Sequence, residues 1–161
     1  MIDRAWILAS IPHQGTMCLL DSVSEWSDAR IVCRATSHRN RDNPLAIDGI
    51  LGIAAGVEYA AQAMAVHGAL LSQKLIPRDQ QRASKAGYLT SVRDVQWQIE
   101  RLDDVLDDLT VQAERIAGSD VSLLYRFSVS AKEEILLTGR ASVLIDAASL
   151  SKHSNTNGNP L

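Results

Sequence analysis

From Leu51 to Leu71 the chain reads LGIAAGVEYAAQAMAVHGALL, apolar almost all the way round a helix, and few structures can house such a segment. A helix without a polar face is either the buried centre of a water-soluble domain or a membrane span. Glu58, Gln62 and His67 decide between the two, because three polar groups in mid-segment are costly in hydrocarbon while a core can turn them toward a cavity. The run is therefore expected to be a central helix, with no membrane partner. Its small residues (Gly52, Ala54, Ala55, Gly56, Ala60, Ala61, Ala63 and Ala65) leave little bulk, so another layer of backbone can pack close. Asp48-Gly49, just upstream, supplies the turn that starts it.

Beyond the helix the apolar period changes from 3.6 to 2. Leu109, Val111 and Ala113 alternate with Thr110, Gln112 and Glu114, and Val121, Leu123, Tyr125, Phe127 and Val129 alternate mostly with serines and Arg126. A last strand repeats the pattern at Ile135, Leu137, Ala141, Val143 and Ile145, with Gly139 marking a bulge or a close backbone approach. Gly118-Ser119-Asp120 and Lys132-Glu133-Glu134 supply the hairpin turns. A further strand is expected from about Gly87 to Ile99, and two earlier ones at Cys18 to Trp26 and Arg30 to Thr36. Strands joined by short turns make an antiparallel sheet with one apolar face, and a single apolar helix is what that face would cover. This is an α+β architecture with about five to six strands curled round one helix. One sheet cannot cover every flank of that helix. A second copy is expected over the remaining flank, the alternative being closure by the N-terminal segment and first two strands of a monomer.

A chain of 161 residues suits one domain, here residues 1–147, followed by SLSKHSNTNGNPL and its neighbours, read as a disordered tail over 148–161. A net charge of -3 with three Trp, three Tyr and one Phe offers neither the basic footprint nor the stacking platform of a nucleic-acid binder. Cys18 and Cys33 lie in apolar stretches without CxxC spacing and read as small buried hydrophobes in a reducing compartment. MIDRAWILAS has too short an apolar run for a secretory signal, so a cytoplasmic location is expected. Asp103, Asp104, Asp107 and Asp108 cluster at a turn without His or Cys, and no metal site is expected.

With those elements placed, the chain resembles the hotdog 3-hydroxyacyl-ACP dehydratases over nearly its whole core. IPHQGTMCLLDSV, from Ile11 to Val23, resembles the family's Pro-His, hydrophobic, Asp, Val opening. EYAAQAMA resembles its helix segment, which implies a catalytic carboxylate at Glu58 and the helix glutamine at Gln62. GYLTSVRDVQW, LTVQAE and LLTGRASVLI follow the family's strands in order, and AAGVEYAAQAMAVHG is similar to the dehydratase-like branch of aryl-polyene pigment clusters. The family's catalytic histidine, fourteen residues before the helix carboxylate, has no counterpart here: that position is Pro44, flanked by Asn43 and Leu45. His38 lies farther upstream and would need a loop rearrangement to replace it.

The implied substrate is a 3-hydroxyacyl chain on acyl carrier protein, or a CoA thioester, with phosphopantetheine carried by the substrate and no resident cofactor. Dehydration needs a base for the C2 proton, an acid for the departing hydroxyl and a donor to the thioester carbonyl. Glu58 suits the acid, since enclosure in an apolar tunnel favours its protonated form, and Gln62 one turn later can fix its rotamer. For the base, His13 is the better candidate by its ordinary pKa, with a purely structural role as its alternative, while Asn43 can only position substrate or water. His67, about 180° round the helix from Glu58, is expected to be packed or at an interface. Gly49 and Gly87 complete the expected substrate-binding set with Gln62. Lys74, Arg78, Arg82 and Lys85 in KLIPRDQQRASK are candidates for docking an acidic carrier. Asn43 and Glu58 also resemble the spacing in hotdog acyl-CoA thioesterases, where the carboxylate activates water. A third reading is a subunit that completes the site of a second hotdog protein, as homodimer or heterodimer.

Overall fold

A computed structural model describes residues 1–75, 87–119 and 121–145. The disordered-tail expectation for 148–161, like the positions Arg78, Arg82 and Lys85, lies outside these residues. The chain opens with β1 (Ile2–Asp3) and α1 (Arg4–Ser10), followed by β2 (Ser22–Trp26) and β3 (Arg30–Ala35). The central helix α2 spans Gly56–Leu75, and β4 (Gly87–Trp97), β5 (Leu109–Gly118), β6 (Ser122–Ala131) and β7 (Glu134–Ile145) complete one sheet. Among the described residues seven strands pair antiparallel in the order β1-β2-β3-β5-β6-β7-β4. This is the hotdog arrangement, with one strand more than expected because the two-residue β1 pairs with β2 through Ile2 and Val23.

The sheet's inner face supplies Ile31, Cys33, Val111, Ala113, Tyr125, Phe127 and Val129, all buried against Tyr59, Ala60, Ala63, Met64 and Val66 of α2. Alternation in the strands and smallness in the helix thus meet in a single core. The expected close approach at Gly139 is met by the Phe127 ring: a Cβ there would lie 2.5 Å from Phe127 Cζ. The bulge of that ladder lies elsewhere, between Val129 and Ser130. Its extra residue, Leu136, turns inward beside Leu137, which leaves Ile135 exposed instead of core-facing as its alternation suggested.

Four boundaries differ from expectation, the first two for local reasons. The helix begins at Gly56, not Leu51, because the backbone at Leu51 and Ile53 bonds Leu102 and Glu100, and a single 3-10 turn at Ile53–Ala55 follows. The Asp48-Gly49 turn therefore closes the small loop Ile47–Ile50 and does not itself start α2. β2 begins at Ser22 and not at Cys18, since Gly15–Met17 form a 3-10 turn and Leu19 is bonded to a side chain of α2. β4 ends at Trp97 and β3 at Ala35. Among the described residues no helix is long and apolar enough to cross a membrane.

Candidate active site

Glu58 occupies the first turn of α2, and Gln62 follows one turn later on the same side. Gln62 is wholly buried and uses every polar atom: its Oε1 accepts from Leu19 N at 2.9 Å, and its Nε2 donates to Met17 O at 2.8 Å and to Glu58 Oε1 at 3.0 Å. The side chain therefore pins the loop before β2 onto the helix while fixing the carboxylate. That loop delivers His13, whose Nε2 lies 3.1 Å from Glu58 Oε1. Nδ1 of His13 is enclosed without a hydrogen-bond partner among the described residues, so Nε2 is the ring nitrogen that meets a polar neighbour.

The loop is itself braced. Asp3 caps α1 by accepting from Trp6 N at 3.0 Å, and Arg4 donates to Leu20 O at 2.9 Å and to Gly15 O at 3.0 Å. Gln14 Nε2 donates to Leu8 O at 2.8 Å. These anchors were not foreseen, because MIDRAWILAS lacks the length for a helix with a clear period, although Asp3 before the apolar run is a recognisable N-cap.

The two side chains of the pair are not sealed: Glu58 is 33% and His13 27% exposed. The described residues do not by themselves complete the enclosed tunnel expected around Glu58. Its open flank carries Val57, Ala61, Ala65 and Gly68, which form a half-exposed stripe on α2, and β4 extends past the helix with Leu89 and Trp97 exposed at 41% and 52%.

Asn43 is not brought to the pair. Its Nδ2 donates to Ser37 O at 2.9 Å and Tyr59 OH at 3.1 Å, and its Oδ1 accepts from Leu45 N at 3.0 Å, so the amide is consumed in bracing a buried loop. His38 is buried too, with Nε2 3.0 Å from Val105 O. His67 packs between layers, Nδ1 3.0 Å from Tyr125 OH and Nε2 2.8 Å from Ser27 O, and burial lowers its pKa. Gly49 stands at the tip of its turn in the left-handed region (φ 77°), with nothing near a would-be Cβ, and Gly87 opens β4 beneath Val143. The contacts of the Glu58 cluster are made by Gln62 and His13. Lys74 is paired to Asp28 at 2.6 Å, which reduces what it can offer a carrier.

A family model described as ApeP-like, ApeP dehydratase, matches residues 6–153. Among solved structures, the ApeI:P dehydratase heterocomplex of Xenorhabdus doucetiae shares 23% identity with a TM-score of 0.75, covering 93% of this chain and 97% of that one. A mutant thioesterase of Pseudomonas aeruginosa follows at 12% identity and TM-score 0.53, over 77% of this chain and 79% of its own. A mutant thioesterase of Staphylococcus aureus has 16% identity and TM-score 0.53, over 78% and 92%. At these identities the structures establish the shared fold. A comparison with curated proteins found no match.

Proposed function

The chain belongs to the ApeP-like dehydratase family, and from that premise we propose that it removes water from a 3-hydroxyacyl thioester carried by acyl carrier protein, with His13 and Glu58 as its proton-exchanging pair. The observation that supports this reading is the 3.1 Å approach of His13 Nε2 to Glu58 Oε1, an imidazole beside a carboxyl in a chain that has Pro44 where the resembled dehydratases have a histidine. Nε2 takes the C2 proton, the freed electron pair forms the C2–C3 double bond, and the C3–O bond breaks as Glu58 protonates the departing hydroxyl. Imidazolium and carboxylate then stand 3.1 Å apart, and the proton passes from Nε2 to Oε1 to restore the starting state. Gln62 keeps Oε1 turned to the histidine. Phosphopantetheine comes with the substrate.

The half-exposed stripe of α2 and the inner side of β4 are read as the face that a second hotdog subunit covers, which would exclude water from the pair. A dehydratase heterocomplex among the solved relatives favours this reading. The partial exposure of Glu58 also suits the second reading, a carboxylate that activates water for thioester hydrolysis.

The test is mass spectrometry of a 3-hydroxyacyl carrier incubated with wild type, Glu58→Gln and His13→Asn, with acyl-CoA in parallel. Loss of one water, reduced by roughly a hundredfold or more in each variant, is the expected result. Free acid would make the chain a thioesterase, and silence that ends on adding a second hotdog subunit would make it one half of a shared site.

A further inference from the structure

The two edges of the sheet differ. β1, at one end, is two residues long and runs into α1, whereas β4, at the other, is eleven residues long and among the described residues pairs only through β7. An open edge of that length is a template for another strand unless something blunts it. What ends at this edge is a row of charge. Directly paired positions across β6, β7 and β4 are Arg126, Arg140 and Arg93, three arginines on one face of neighbouring strands. They project outward, since Tyr125, Phe127 and Ala141 beside them are buried.

Like charges directly opposite one another destabilise a sheet, so each member needs an answer. Glu114 lies 3.4 Å from Arg126, and Asp94, turned back by a bulge at φ 54°, lies 3.6 Å from Arg140. Among the described residues no carboxylate pairs with Arg93, the arginine on the open edge. Self-pairing of β4 over its full length would centre on Val92 and set the two Arg93 side chains diagonal to each other, extending three arginines to six.

We propose that Arg93 and its row make the β4 edge select a non-identical subunit, one whose edge strand presents a carboxylate to Arg93, over a second copy of this chain. The selection rests on the reading that a hotdog subunit covers the β4 face.

The test is sedimentation velocity of wild type, Arg93→Glu and their equimolar mixture at low and high salt, with hydrogen exchange on the β4 amides. At low salt the mixture is expected to associate at least about threefold more tightly than either chain alone. Added salt should weaken the mixed pair and strengthen wild-type self-association. Arg93→Gln should lie between the two. Wild type that self-associates as tightly as the mixture, with β4 protected in both, overturns the charge selection and leaves the subunit reading standing. Association that leaves β4 exchange unchanged overturns the subunit reading itself.

Discussion

Gln62 joins the loop of His13 to the helix of Glu58, and its three hydrogen bonds leave nothing spare for substrate. It is a positioning residue. Gln62→Leu is of similar length but strands Leu19 N and Met17 O in a buried setting, at about 1–3 kcal/mol for each unsatisfied group. The variant is expected to lose about 2–6 kcal/mol in urea unfolding and to dehydrate more slowly, since the carboxylate rotamer is released. A midpoint equal to wild type would mean that the loop is held by Arg4 and Gln14 alone. At the same scale, Asn43 shows how spacing misleads: fifteen residues before Glu58 is a position that can reach a site in sequence, yet its amide is spent on Ser37, Tyr59 and Leu45.

Between elements, His67 ties α2 to β6 and to the turn after β2 through Tyr125 and Ser27. Burial lowers the pKa of both His67 and His38 below the ordinary 6.5, with Arg115 adding to the shift at His67 and Ser27 and Asp28 opposing it. Below that value the unfolded chain binds more protons than the folded one, so stability is complete above about pH 6.5 and falls as the pH drops through it. Urea midpoints at about pH 7.5 and about pH 5.5 should show this fall, and His67→Gln with His38→Gln should flatten it. A wild type equally stable at both values would contradict the assignment. The strands repeat the lesson at their own scale: the bulge after Val129 inverts the pattern at Ile135 to Leu137, which no period of two can anticipate.

For the molecule as a whole, the sheet covers one side of α2 and leaves the stripe of Val57, Ala61, Ala65 and Gly68 half open beside Glu58. Ala61→Arg on that stripe should alter stability by less than about 0.5 kcal/mol, as at an ordinary surface position. It should nevertheless abolish association of the chain, with itself or with an added hotdog subunit, in sedimentation, and lower the rate of water loss with it. Unchanged association would place the subunit contact elsewhere.

The sequence by itself determined the layers. An all-apolar segment broken by Glu58, Gln62 and His67 must be a buried helix, and alternating segments joined by short turns must be the sheet around it, because both follow from periodicity and burial along the chain. It also marked Glu58 and Gln62 as one cluster, since four residues on a helix are neighbours in space. Tertiary structure alone decided that His13 reaches Glu58, that the Asn43 amide is spent on Ser37, Tyr59 and Leu45, and that Arg93 of the edge strand β4 has no carboxylate partner among the described residues. Those relations join residues 45, 16 and 47 positions apart across loops and strand registers, His13 with Glu58, Asn43 with Tyr59 and Arg93 with Arg140, where local pattern carries no distance information.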